Sequence, residues 1–405
     1  MKQSRLNLCA ASSCGREHGF TMVELMVAIA VGLIVTLAVT GAVLTMGRQF
    51  RITGANVAAQ GGAQIALSLM DEAGRSAGVG MFSNGQALCP TLNAWYGGTI
   101  RSNGAVFMPA RITDGGSNTA SDTVTFTGTS AAGALSGTPV LDNTTATSVR
   151  VSNAGNLQLN DLAVIGAPGS NQPCSLFQIT ATPTVGTACG GNATGCKTLT
   201  RAVNSTYNPG VGTFTTEPSF GFSTAGSVYG PAVVNRLGTE FRQDAFAVQC
   251  GSLVQYNAFT TAALPACTAV PLGFDAAVNP IAMDVVLMHA QYGISSSSAS
   301  DIVTGWVDAT GTTWATPSAA DAGRIKAVRV VLVTRSKEPD NTNVTAAACT
   351  NEGGVVNTGP CSFADAGAPV IDLSAVSVPT GRTWRNFRYR VHQAIMPLRN
   401  VIWSN

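Results

Sequence analysis

Charge is what this sequence has least of. Asp, Glu, Lys and Arg make up 11% of its 405 residues, with a formal net charge of +2, against a usual charged share of about 25%. So small a net charge gives no global basis for recruiting nucleic acid or an acidic partner. Disorder of the usual kind is also excluded. It needs high net charge and little apolar matter, whereas 45% of this chain is hydrophobic. Gly, Ala, Ser and Thr fill the gap, which suits an extracellular, β-rich protein better than a cytosolic enzyme. Of the three histidines, only His289 and His392 lie beyond residue 19. Neither follows a zinc-finger spacing, and no two cysteines stand as C-x-x-C. G-x-S-x-G, H-E-x-x-H, Walker and dinucleotide-binding patterns are missing too. No enzymatic, metal or cofactor site is expected. His289 reads as a core or sheet histidine, and His392 as part of an exposed strand face.

What the chain does have is one long uncharged run, the 22 residues from Leu25 to Met46. As a helix they span about 33 Å, enough to cross a bilayer core. Residues 1–19 are polar and mildly basic, with Lys2, Arg5 and Arg16 against Glu17. That flank stays in the cytoplasm and sends the rest outward. An ordinary secretory signal is cut after its apolar stretch; here the suggestive junction, Gly19-Phe20, comes before it. One carboxylate, Glu24, stands inside the apolar segment. An unpaired charge there costs about 3 kcal/mol or more, which makes it a functional residue by default.

The stretch Gly19-Phe20-Thr21-Met22-Val23-Glu24-Leu25-Met26-Val27-Ala28 resembles the processing motif of type IV prepilins. The resemblance implies cleavage after Gly19 by a prepilin peptidase and N-methylation of the new terminus, Phe20. It also implies that Glu24 pairs with the terminal amine of a neighbouring subunit during assembly. The physics agrees, since a cut at Gly19 frees a cationic amine beside an apolar helix. A carboxylate one turn along can neutralise such an amine on another copy.

The helix is expected to outrun the membrane. Ile52, Ala55, Ala59, Ala63, Ala66, Met70 and Ala73 recur every three or four residues, one face of an amphipathic helix. Asp71 and Arg75 are spaced for an i,i+4 pair. Gly74, Gly78 and Gly80 signal termination. Gly32, Gly41, Gly54, Gly61 and Gly62 either weaken the rod or allow tight packing. The chain therefore divides into a leader (1–19), a membrane and assembly helix (20–47), its amphipathic continuation (48–80) and a β-rich body (81–405). Strands are expected at Ala105–Ile112, Thr123–Thr127, Ser148–Ser152, Leu162–Gly166, Ser175–Thr180, Thr198–Val203, Ala245–Gln249 and Leu253–Asn257. Met283–Tyr292 reads as a buried strand. Lys326 and Arg329 in Arg324–Arg335 require a bulge or an edge. Phe387, Tyr389 and Val391 share one strand face, opposite Arg388, Arg390 and His392. The fold class is α+β and pilin-like: a long helix packed on a large antiparallel β-domain.

Eight cysteines follow the apolar run: Cys89, Cys174, Cys189, Cys196, Cys250, Cys267, Cys349 and Cys361. An even number in an exported body points to disulfides. Short loops favour Cys189–Cys196, Cys250–Cys267 and Cys349–Cys361, which leaves Cys89–Cys174. Arg382, Arg385, Arg388, Arg390 and Arg399 form the best basic patch. Its two readings are a solvated strand face and a contact for DNA phosphates or acidic pilins. Asp340, Asn341 and Asn343, near Glu338, read as a polar turn rather than a calcium loop.

A narrower resemblance lies in the last third. Asp284-Val285-Val286-Leu287-Met288 with Gln291-Tyr292-Gly293, the run Ala327 to Ser336, and Tyr389-Arg390-Val391 with Pro397-Leu398-Arg399-Asn400 look like the core of PilW-type minor pilins. The family implies a structural subunit that primes or caps a type IV pilus. Its partners would be other minor and major pilins, the prepilin peptidase and the inner-membrane assembly platform. The protein would begin in the inner membrane, with its body in the periplasm, and move to the pilus at the cell surface. Two other roles are compatible with these features: a J-type pseudopilin of type II secretion, and a fibre-tip adhesin or DNA-uptake receptor.

Overall fold

The computed structural model describes residues 20–83, 86–88, 90–129, 137–141, 145–168, 172–185, 196–214, 232–261, 264 and 278–402; side chains at 48–49, 51–60, 82–83 and 86–87 fall outside that description. The chain forms two compact units, residues 1–54 and 55–405. A single 55-residue helix, Met22–Ser76, runs through both.

In the first unit every side chain from Met22 to Met46 is exposed. The hydroxyls of Thr36, Thr40 and Thr45 donate to the carbonyls of Gly32, Thr36 and Gly41 at 2.8, 2.7 and 2.8 Å. Those polar groups are thus satisfied inside the helix, as an apolar surrounding requires. Gly32 and Gly41 do not interrupt it.

In the second unit the helix buries Ala63, Ala66 and Met70 completely, with Ala73 packed beside them. This is the lower part of the expected stripe; the side chains of Ile52, Ala55 and Ala59 lie outside the description. Asp71 and Arg75 form their i,i+4 pair at 2.6 Å. Gly74 departs from expectation, because it does not end the helix. A Cβ there would stand 3.3 Å from Phe126 and 3.4 Å from Met396, so glycine serves close approach to the sheets. Termination falls at Ser76, and Gly78 and Gly80 turn the chain with φ of 79° and 75°, conformations in which glycine is unstrained.

Four sheets of three or more strands follow among the described residues. The described strand pairings within these sheets are antiparallel except that of Cys174–Gln178 with Thr91–Tyr96. The expected strand at Leu162–Gly166 has those bounds. Those near residues 123, 148, 175, 198, 245 and 253 are present with shifted ends. Ala105–Ile112 is not one strand. It splits into the end of Thr99–Val106, in the six-stranded sheet, and Ala110–Thr113, in the five-stranded sheet. Between them, Pro109 carries no backbone N–H for a ladder.

The four-stranded sheet runs Val303–Asp308, Val285–Ser295, Ile325–Arg335, Tyr389–Pro397. Met288, Ala290, Tyr292, Val328, Val330, Leu332 and Met396 join the helix in the main core. Leu287, Val331 and Val333 pack on the other face against Ile371 and Leu373. Both faces are therefore covered, which is why Val285–Ser295 reads as a nearly continuous apolar run. Ile325–Arg335 is a central strand, not an edge. The register against Val285–Ser295 passes from Ala327 to Ile325 while the partner moves from Gly293 to Ile294. Lys326 is thus the extra residue of a bulge.

Candidate functional site

The tail motif begins at the helix N-terminus. Gly19 lies outside the described residues, and Phe20 is exposed just before the helix. Glu24 folds back onto Thr21: its Oε2 accepts from the Thr21 backbone N–H and hydroxyl, both at 3.0 Å. The Glu24 N–H donates to Thr21 Oγ1 at 3.2 Å. This is a reciprocal capping box, legible as T-x-x-E at residues 21–24 but missed in the sequence reading. The carboxylate sits at the positive end of the helix dipole, four residues after Phe20.

The far end of the helix is held by three separate parts of the body. The Gly78 N–H donates to the Thr127 carbonyl at 2.8 Å. Asn400 Nδ2 donates to the carbonyls of Arg75 and Ala77, each at 3.0 Å, and Asn235 Nδ2 donates to Gly80 at 3.0 Å. Helix ends leave such carbonyls unpaired unless something caps them. In the sequence Asn400 stands only as part of a closing motif, because a cap supplied from 325 residues away leaves no local signal.

The C-terminal sheet is locked by Arg329, fully buried on the central strand. Its guanidinium lies 4.7 Å from the ring centres of both Trp306 and Phe363. It donates to Gln291 Oε1 at 2.6 Å and to the Gly367 carbonyl at 2.6 Å, and it forks onto Asp365 at 2.6 and 3.2 Å. That charge-assisted fork holds the Asp365 carboxyl below its usual pKa. It also pins the excursion between Arg335 and Tyr389 to the sheet. The same excursion carries the disulfide Cys349–Cys361, one of the expected short-loop pairs. Cys174, Cys196 and Cys250 are each disulfide-bonded, while Cys89, Cys189 and Cys267 lie outside the described residues.

His289 is a buried sheet histidine, with Nδ1 3.4 Å from Asp122 and Nε2 3.0 Å from the Asn118 carbonyl. Burial pulls its pKa down, but Asp122, the Asn118 carbonyl and Asp308 outweigh burial and leave it raised. His392 is half-buried rather than exposed and meets Thr334 Oγ1 at 3.2 Å. Burial and then Arg390 push its pKa down.

The basic patch and the polar turn prove to be partners. Arg388 Nε pairs with Asp340 at 3.0 Å. Arg382 donates to the Asp340 carbonyl and to Asn341 Oδ1 at 3.3 and 3.1 Å, and Arg385 donates to the Thr345 carbonyl at 3.2 Å. These arginines staple the turn, whose oxygens already meet cations. Among the described residues no cluster of three or more His, Cys, Asp or Glu is arranged to hold a metal.

Met22–Gly47 is the one described helix long and apolar enough to cross a membrane. A family model for the prokaryotic N-terminal methylation motif matches residues 14–40. Tail and motif together define a pilin-like protein of the type IV pilus system. A second family model, type IV pilus-assembly protein W (PilW), matches residues 260–400, the segment that builds the four-stranded sheet. Over these two segments the chain is similar to PilW-type type IV pilins. No curated protein and no solved structure matches it significantly. The family is structural rather than catalytic, and its assembly context implies contacts with other pilins and their machinery.

Proposed function

We propose that the chain is a minor pilin that primes assembly of a type IV pilus or caps the fibre. Its leader, residues 1–19, is removed by the prepilin peptidase, and Phe20 becomes the N-methylated first residue. Residues 20–47 cross the inner membrane and later enter the fibre, 48–80 continue the helix, and 81–405 form the periplasmic body. The observation that carries this reading is the exposed apolar helix Met22–Gly47 with Glu24 as its single acid. The Thr21 box supports a further step. A carboxylate that already accepts two hydrogen bonds is cheaper to keep in an apolar layer than a bare one. It is also held on the turn where another subunit's Phe20 amine would have to be neutralised.

Mass analysis of mature protein should find Phe20 as the first residue; Met1 in assembled fibres would overturn the processing. Glu24→Ala should still be cleaved, yet its share in sheared fibres should fall roughly tenfold, the equivalent of ~1.4 kcal/mol. Wild-type incorporation would remove the charge pairing. A deletion strain that keeps its pili but stops releasing exoproteins would move the chain to type II secretion.

A further inference from the structure

The split of Ala105–Ile112 into two strands has a chemical result. The chain leaves the six-stranded sheet after Val106 and enters the five-stranded sheet at Ala110. Where the two sheets meet, a cavity of about 200 Å³ opens. At ~30 Å³ per water, that is room for roughly seven waters, or one small ring compound. Phe107, Phe241 and Phe259 line it on the apolar side, with Phe241 and Phe259 packed edge to face at 4.9 Å. Arg101, Arg111 and Gln243 supply its polar side, and no Asp or Glu stands among the described lining residues.

Arg101 is held in place without being satisfied. One terminal nitrogen donates to the Thr260 carbonyl at 3.2 Å, and the guanidinium lies 5.8 Å from the centre of the Tyr96 ring. Its Nε–H is buried and has no acceptor among the described residues. A buried charged donor without an acceptor is costly. No carboxylate among the described lining residues neutralises it, and Arg111 adds a second positive charge from the neighbouring sheet. A planar carboxylate offers two acceptor oxygens matched to a guanidinium, and aromatic side chains suit the apolar face of a ring.

We propose that this inter-sheet cavity binds a small organic carboxylate carried on a ring, with Arg101 as the anion ligand, Arg111 as a second cation and the three phenylalanines against the ring. The site lies within residues 92–259, outside both segments matched to pilin families, and does not depend on the assembly role. It gives the body a ligand-binding function of its own.

The test is calorimetric titration of the full chain in detergent with glucuronate, with glucose as the neutral counterpart and inorganic phosphate as the bare anion. Glucuronate should bind saturably and at least about tenfold more tightly than glucose. Arg101→Gln should weaken it about 10- to 100-fold, the loss of one charge-assisted hydrogen bond, with an unchanged melting curve. No glucuronate binding, equal binding of glucose, or an unaffected Arg101→Gln would overturn the proposal. Phosphate binding as tightly as glucuronate would overturn its organic part. If Arg101→Gln does not fold, Arg111→Gln decides. That side chain is exposed, and unchanged glucuronate affinity in the variant would count against the site.

Discussion

The two halves of the Met22–Ser76 helix share one backbone and follow opposite rules. From Met22 to Met46 large apolar side chains point out on all sides and none is buried within its unit. From Ala63 to Gly74 the buried face is made of alanine, glycine and one methionine. The first half is shaped by the solvent it needs, the second by the neighbours it must approach. Small residues let the helix sit close to the sheets, and Gly74 is the extreme case. Size on a helix face therefore carries more information here than hydrophobicity alone.

Paired truncations put that contrast at risk most directly. Met70→Ala should destabilise the body by about 3 kcal/mol through lost burial and a residual cavity. Leu37→Ala should leave body stability within about 0.5 kcal/mol, as for an exposed site. Denaturant unfolding of the full chain in detergent measures both, and equal effects would abolish the distinction. Next in size is Asn400→Ala, which strips two helix-end carbonyls of their donor. It should cost about 1–2 kcal/mol in the same assay, and an unchanged midpoint would show that the C-terminal segment does not hold the helix. The smallest effect should be a pH dependence. His289 has a folded pKa above its ordinary 6.5, so its contribution is fully present below that value. It is lost as pH rises through the folded pKa. The groups facing it are Asp122, Asp308 and the Asn118 carbonyl. Melting temperatures should therefore fall from pH 6 upward in the wild type relative to His289→Gln; parallel curves would refute the linkage.

Features written in local sequence were legible. The tail, the alanine stripe, the Leu162–Gly166 strand and the Cys349–Cys361 loop all depend on residues close together in the chain. Val285–Ser295 also announced itself, because covering both faces leaves little polar alternation. The charges of Lys326 and Arg329 instead left Ile325–Arg335 open between a bulge and an edge, and it is bulged but central. What failed was long-range. Phe107 and Met108 keep the apolar run going while the backbone changes sheets. Gly74 has the composition of a stop and the position of a contact. The partners of Arg329, at Trp306, Phe363 and Asp365, lie on either side of it in separate segments. The anion cavity was invisible because it needs five stretches of chain to meet.

The bulge at Lys326 is a frameshift written in structure. A strand is read in steps of two, so Ile325 and Val328, three apart, belong to opposite faces in strict phase. Leaving Lys326 out of the count restores the phase, and both side chains reach the same core. The extra letter is tolerated because its amine is caught by the Ser298 carbonyl at 2.8 Å, beside Asp301. This strand can therefore carry one residue more than its partners without turning inside out.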